Sequence, residues 1–152
     1  MDAAVSSPTF YAGEFRHQID EKNRITIPSR WRRNGDSDDL LLVPEQNLQC
    51  LLVMSPNEFA RVVSSAQNNP AVPARDLRIF LRHVHSRAQH GSADKQGRLV
   101  LPDDLCQQLD LKGEVALVGG PGRFEIWNLV RWKRAQQDEH STYQHVANLV
   151  GL

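Results

Sequence analysis

The sequence predicts an α+β, β-rich fold made of two pseudo-symmetric halves, with helices between the halves and at the C-terminus. Three observations support this prediction. Segment 19–28 recurs as segment 93–102, 74 positions later. Short apolar runs of strand length follow each copy, and segments with helical periodicity lie after each of these runs. The 152 residues suffice for one ordinary domain or for two very small ones that share a core.

The recurring segment reads Asp-x-x-x-Arg, followed by alternating apolar residues and a proline. Its shared positions are Asp20, Arg24 and Pro28 in the first copy, and Asp94, Arg98 and Pro102 in the second. The similarity resumes further on, where the apolar runs within 40–54 match those within 115–127. Two copies are too few for a solenoid, and they favour a fold in which each copy completes the other.

Each copy begins with a predicted strand, a tight turn and a second strand. In the first copy these elements are predicted at 14–19, 20–23 and 24–27. The turn residue before the arginine is Asn23 in the first copy and Gly97 in the second, and both residue types tolerate a positive φ. Each proline ends the second strand and can begin a short helix. These two helices are predicted at 29–33 and 103–109.

A hairpin and then a helix follow in each copy. The hairpin strands are predicted at 40–44, 50–54, 114–118 and 123–127. The second hairpin contains the Gly-Gly-Pro-Gly run at 119–122, which is a strong turn signal. Longer helices are predicted at 57–67, 73–85 and 129–148.

The helix predicted at 73–85 has two contrasting faces. Its apolar stripe consists of Leu77, Phe80, Leu81 and Val84, and its basic face consists of Arg75, Arg78 and Arg82. The arginine face fits a subunit interface, a face that binds DNA in addition to any site on the repeated motifs, or an ordinary exposed side, and the sequence leaves these alternatives open.

The domain organisation follows from these elements. We expect a flexible N-terminal tail at 1–12, a first repeat domain at 13–59, a helical connector at 60–86, a second repeat domain at 87–132, and a C-terminal helix and tail at 133–152.

The net charge is zero, but the charges are unevenly distributed. Residues 10–33 contain six Lys or Arg against three acids, and residues 75–98 contain six against two. These two segments therefore carry +3 and +4, and the rest of the chain carries −7. Local rather than total charge decides where a polyanion can bind, so the pattern suggests a nucleic-acid surface. A solvated surface without a partner would show the same asymmetry.

Several classes of function lack a signature in this sequence. The six histidines form no metal-binding or catalytic motif, and the Gly-rich run lacks the Lys-Ser/Thr of a phosphate loop. We therefore expect no enzyme activity, no catalytic residue, no metal, no cofactor and no small-molecule substrate. No apolar run approaches the roughly 20 residues needed to cross a membrane. Cys50 and Cys106 lie in apolar stretches outside any disulfide framework, which suggests a reducing cytoplasm.

The doubled Asp-x-x-x-Arg motif resembles the MraZ family of bacterial transcriptional regulators, which contain two tandem SpoVT-AbrB (AbrB-like) domains. The segments 13–15 (Gly-Glu-Phe) and 124–127 (Phe-Glu-Ile-Trp) ahead of Arg131-Trp132 are also similar to that family. The resemblance covers about 13–134. It implies a swapped-hairpin AbrB-like β-barrel in each half, a ring homo-oligomer that is octamer-like or larger, and a nucleoid-associated location. It also implies binding to direct repeats of double-stranded DNA upstream of the division and cell-wall gene cluster.

Three positions depart from equivalence between the copies. Asn23 stands where the family usually has Gly, and the second copy has Cys106 and Gln107 where the first has Arg32 and Arg33. We expect the two halves to differ in binding.

Basic residues near the two motifs are the candidates for DNA contact. They are Arg16, Lys22, Arg24, Arg30, Arg32, Arg33, Arg87, Lys95 and Arg98. The pairs Asp20–Arg24 and Asp94–Arg98 fit a clamp that holds the turn, and they equally fit a turn that presents Arg to phosphate or guanine. The alternative function is an AbrB-like oligomerisation or protein-interaction module, antitoxin-like, without specific promoter binding.

Overall fold

The computed structural model describes residues 10–32 and 39–152. The strands in this part of the chain are β1 (Glu14–Gln18), β2 (Arg24–Thr26), β3 (Asp39–Pro44), β4 (Leu51–Met54), β5 (Gln89–Ser92), β6 (Arg98–Val100), β7 (Glu114–Val118) and β8 (Arg123–Asn128). The helices are a 3-10 helix (Ser29–Trp31), α1 (Pro56–Gln67), α2 (Ala74–Arg87), α3 (Asp103–Leu109) and α4 (Leu129–Val150). The prediction of a mixed α+β fold with two tandem halves is confirmed.

Strands of the two copies pair with each other in two antiparallel sheets. The larger sheet has six strands in the order β1-β7-β8-β4-β3-β5, and the smaller is a two-stranded ribbon of β2 and β6. The first strand of each copy thus leaves its own copy: β1 pairs with β7 of the second copy, and β5 pairs with β3 of the first. The hairpins β3–β4 and β7–β8 stay within their copies and join through β4 and β8.

The registers of these pairs obey a pseudo-two-fold axis. At the centre of the ribbon, Ile25 lies opposite Leu99, which is its counterpart in the repeat. At the centre of the larger sheet, Leu52 lies opposite Glu125, its counterpart in the second hairpin. The two copies of the sequence repeat are therefore related by a pseudo-two-fold axis in the structure.

The expectation of a swapped-hairpin β-barrel in each half needs correction. In the described part of the chain, the larger sheet ends at β1 and β5, which do not pair with each other, so no closed barrel forms. The physical reason is that the two hairpins join through β4 and β8, which places the exchanged strands β1 and β5 at opposite edges of one sheet. Both halves instead share one open sheet and one ribbon.

One apolar core lies between the larger sheet and the ribbon, and both copies contribute to it. Ile25 and Leu99 from the ribbon meet Leu42 and Ile126 from the sheet, and all four side chains are fully buried. The 3-10 helix and α3 close the ends of this layer through Trp31 and residues such as Leu105 and Leu109. Burial of apolar surface stabilises a fold by roughly 25 cal/mol per Å², so this shared core is the main interaction that holds the two copies together.

The opposite face of the sheet is covered by helices. Phe59 of α1 packs on Val43 and Met54, and the first turns of α4 cover a second cluster around Trp127. The Ser55 hydroxyl caps α1 by accepting a hydrogen bond from the Glu58 N–H, and Asn128 caps α4 in the same way. Among the described residues no helix is both long and apolar enough to cross a lipid bilayer.

The helix α2 packs less closely than its apolar stripe predicts. None of its residues is buried, and Phe80 remains 39% exposed. Only its C-terminal end, through Val84 and Ala88, joins the cluster around Phe59. The stripe at 77–84 is therefore only partly covered by this chain.

Candidate nucleic-acid interface

The two Asp-x-x-x-Arg turns have the same hydrogen-bonding geometry. In the first, Asp20 Oδ1 accepts hydrogen bonds from the backbone N–H groups of Lys22 and Arg24, both at 2.9 Å. Asp20 Oδ2 accepts a charge-assisted hydrogen bond from Arg24 Nε at 2.7 Å. In the second turn, Asp94 accepts from Gln96 and Arg98 at the same three distances. One carboxylate therefore holds both the turn and the arginine that follows it.

These contacts favour the charged carboxylate. The backbone N–H of Arg24 and then its guanidinium lower the pKa of Asp20 below its ordinary value. The same two groups of Arg98 lower the pKa of Asp94. Each arginine donates through Nε, and its terminal nitrogens form no hydrogen bond with another described residue. The side chains of Arg24 and Arg98 remain 35% and 45% exposed.

The turn residues before the arginines have the left-handed backbone that the sequence predicts. Asn23 has a φ of 58° and Gly97 a φ of 82°. Gly97 has a second constraint, because a Cβ at this position would lie 2.7 Å from Cδ of Arg32. Arg32 reaches across from the first copy and donates from Nη1 to the Lys95 carbonyl at 3.3 Å. The turn of the second copy is thus covered by an arginine of the first.

The outer face of the ribbon presents both motif arginines. Ile25 and Leu99 point into the core, so their neighbours along the two strands point outward. The antiparallel register places Arg24 opposite Val100 and Thr26 opposite Arg98. A two-stranded ribbon is one of the elements that fit into the major groove of DNA.

A pocket of about 360 Å³ opens beside the ribbon, between β1 and the 3-10 helix. Trp31 anchors this helix. Its ring packs on that of Phe124, with the two ring centroids 5.0 Å apart, and its Nε1 donates a hydrogen bond to the Ala12 carbonyl at 2.9 Å. The polar lining of the pocket consists of Arg16, His17, Thr26, Ser29 and Arg30.

The remaining predicted residues lie around these two features or away from them. Lys22 and Lys95 are exposed in the two turns, and Arg32 lies over the second turn. Arg87 is exposed at the end of α2, outside the ribbon. Arg33 falls in 33–38, outside the described residues.

Sequence reasoning missed the uncharged members of this surface. Thr26 and Val100 occupy the outer face of the ribbon, and His17 and Ser29 line the pocket. The signal for Thr26 and Val100 was available, because each lies two residues after a motif arginine and so shares its face of the strand. His17 and Ser29 had no such signal, since their position depends on how β1 meets the 3-10 helix.

The two cysteines lie in the apolar interior. Burial is the main cause that raises the pKa of the Cys106 thiol, to about 11, and it raises the pKa of Cys50 further. Neither thiol is activated as a nucleophile. Among the described residues, no three His, Cys, Asp or Glu side chains come together in a way that could hold a metal ion.

The fold and this surface define a duplicated β-scaffold that presents paired arginines on one ribbon. A family model described as "MraZ protein, putative antitoxin-like" matches residues 10–80 and 85–152, and the chain belongs to this family. A protein named Transcriptional regulator MraZ from Desulforamulus reducens is 34% identical over 143 residues, which cover 93% of this chain and 99% of the relative. A protein of the same name from Pediococcus pentosaceus is 33% identical, over 92% of this chain and 96% of its own. A third, from Caldicellulosiruptor saccharolyticus, is 33% identical over 89% and 92%.

These relatives bear on two predictions. The resemblance inferred from the doubled motif is confirmed by the family match. Because the named members of this family are transcriptional regulators, the prediction that the chain is not an enzyme is confirmed as well.

Proposed function

We propose that this protein is a sequence-specific, DNA-binding transcriptional regulator that acts in the cytoplasm on the nucleoid. The observation that carries the proposal is the pair of clamped arginines, Arg24 and Arg98, on the outer face of a two-stranded ribbon. The names of the relatives, which are transcriptional regulators, support the same function.

The chemistry of the ribbon fits base recognition in the major groove. A guanidinium whose Nε is held by a carboxylate keeps its two terminal nitrogens in a fixed plane, which suits guanine O6 and N7 or a phosphate. Thr26 can donate or accept a hydrogen bond, and Val100, which is 57% exposed, offers an apolar contact for a thymine methyl group. The turn residues Lys22 and Lys95 extend the positive surface on either side.

The finer part of the proposal concerns the target and the assembly. The target is a set of direct repeats upstream of the division and cell-wall gene cluster, and the bound form is a ring homo-oligomer, octamer-like or larger. A ring presents the same ribbon several times, so spaced repeats raise the affinity without any new contact. Light scattering on the purified protein tests the ring, and a monomeric mass at micromolar concentration would contradict it.

Titration of a labelled duplex from upstream of the protein's own gene tests the function. We expect saturable binding that weakens with salt, and a loss of about 1–3 kcal/mol of discrimination between this duplex and a scrambled one when Arg98 becomes Lys. Lysine keeps the charge but lacks the planar fork, so binding to scrambled DNA should change little. The Arg75→Lys variant on the exposed α2 serves as the control.

A second candidate is a protein-interaction or oligomerisation module without promoter binding, which the antitoxin-like description of the family favours. This candidate predicts that wild-type protein binds the upstream and the scrambled duplex equally, or neither of them at low salt. Either result would contradict the regulator proposal.

A further inference from the structure

The strands follow the pseudo-two-fold axis, but the charged residues on the two sides of the ribbon do not. On the first side the exposed residues include Arg16, Ser29 and Arg30. The positions related to them by the repeat, on the second side, are His90, Asp103 and Asp104. We define the first set as the basic flank and the second as the acidic flank. The strands beside the two flanks are related by the axis, while the helix that follows is a 3-10 helix on the first side and the longer α3 on the second, so the flanks differ in helix type and in charge.

The basic flank is open to a ligand. Arg16 and Arg30 line the pocket beside Thr26, and neither forms an ion pair or a side-chain hydrogen bond with another described residue. The pocket is therefore lined by two arginines that form no ion pair with another described residue and by the hydroxyl-bearing residues Thr26 and Ser29. These groups are the donors that proteins use for phosphate oxygens.

The acidic flank is occupied by internal contacts and repels an anion. Asp103 accepts a hydrogen bond from Asn23 Nδ2, and Asp104 accepts one from Gln89 Nε2 at 2.8 Å. Both carboxylates remain exposed at the start of α3. A phosphate close to them would meet two negative charges within a Debye length, which is about 8 Å at physiological salt.

We propose that the basic flank binds backbone phosphates on one border of the major groove, and that the acidic flank stays clear of the other border. The inference rests on the proposed function. The groove is about 12 Å wide, so a ribbon lying in it has one phosphate backbone on each side. A symmetric scaffold would contact both backbones alike, whereas this chain binds off-centre and with a fixed polarity.

Salt-dependent fluorescence anisotropy with the labelled upstream duplex tests this polarity. The variant Arg16→Gln/Arg30→Gln removes two phosphate contacts, and we expect its slope of log affinity against log salt to be shallower by about two. The variant His90→Gln/Asp104→Asn changes the matching positions of the acidic flank, and we expect affinity within about twofold of wild type. Arg75→Gln/Arg78→Gln on α2 removes the same charge as the first variant and should leave the slope unchanged.

The outcomes separate this inference from the proposed function. If wild type binds saturably and Arg98→Lys loses discrimination, the function stands. The polarity is then overturned if Arg16→Gln/Arg30→Gln has the same slope as the α2 control, or if His90→Gln/Asp104→Asn strengthens binding about tenfold. Absence of wild-type binding overturns both. Thermal unfolding of each variant, expected within a few degrees of wild type because these side chains are exposed, ensures that folding is not the cause.

Discussion

The residue that organises each turn is an aspartate with three acceptor contacts. Asp20 receives two backbone N–H groups and one guanidinium, so its charge is compensated locally although the side chain is partly exposed. The motif can therefore both clamp the turn and present its arginine to DNA. Asp20 binds only Nε of Arg24 and leaves the terminal nitrogens of that guanidinium available. Removing the carboxylate would free the arginine and release the turn together.

The stability of the protein should therefore depend on these two aspartates at acid pH. Their folded-state pKa values lie below the ordinary value of about 3.9. Their contribution is present above that value and is lost as the pH falls through the lower, folded-state pKa. We expect Asp20→Asn/Asp94→Asn to be less stable than wild type at pH 7 and to lose less stability between about pH 5 and pH 2.

Thermal unfolding at a series of pH values measures this effect. Glu21→Gln is a suitable control, because Glu21 is exposed in the same turn and forms no hydrogen bond with another described residue. Equal pH dependence of the double variant and wild type would show that the two carboxylates do not contribute.

For single residues, the local backbone conformation was predictable from the sequence, whereas contacts between residues far apart in the chain were not. The positive φ of Asn23 and Gly97 follows from the residue type and its place in a tight turn. The position of Arg32 over Gly97 depends on contact between residues 65 positions apart, and no local pattern reports it.

Among the elements, the ribbon is the smallest and carries the candidate site. Its two strands have three residues each, too few for independent stability in water. Their central residues, Ile25 and Leu99, are fully buried in the shared core. The core anchors the inner side of the ribbon, and the strand register sets the spacing of its outer side chains.

Truncation of the inner and outer side chains should separate these roles. We expect Leu99→Ala to lower the free energy of unfolding by about 2–5 kcal/mol, since it leaves a cavity in the core. Val100→Ala, one residue further along, should change it by no more than about 0.5 kcal/mol. Urea denaturation followed by circular dichroism measures both. Similar losses from the two variants would mean that the outer face is also packed.

The positions of strands and helices were predictable from hydrophobic periodicity and from the Gly and Pro residues at turns, while the pairing of the strands was not. The predicted helix at 103–109 matches α3, and the strand at 114–118 matches β7. Alternation in β1 indicates an extended segment but does not specify its neighbour. The resemblance implied swapped hairpins, but the structure was needed to show that β1 and β5 are the exchanged strands and that they pair with β7 and β3. The charge pattern identified the basic residues, and the pocket that joins Arg16 to Arg30 required the fold.

At the scale of the whole molecule, the exchange of strands leads us to expect that the two copies unfold as one cooperative unit. The first copy supplies β3 as partner for β5, and the second supplies β7 as partner for β1. The core clusters likewise draw on both copies. Neither copy can bury its apolar face alone, although each contains a complete repeat of the motif.

Separate production of 1–70 and 71–152 tests this dependence. The cut falls in the connection between α1 and α2, which leaves every strand intact. We expect neither fragment to show a cooperative thermal transition as a monomer, and an equimolar mixture to recover one, because mixing restores the β1–β7 and β3–β5 pairs. A folded, monomeric single fragment at low micromolar concentration would contradict this expectation.

The exchange of strands also has a consequence during synthesis. β1 emerges from the ribosome about a hundred residues before its partner β7. At translation rates of about 5–20 residues per second, the nascent strand waits on the order of ten seconds without a neighbour. Its polar composition, Glu-Phe-Arg-His-Gln, discourages pairing with other chains during that interval. The polarity of β1 thus protects the unfinished chain until its partner strand is made.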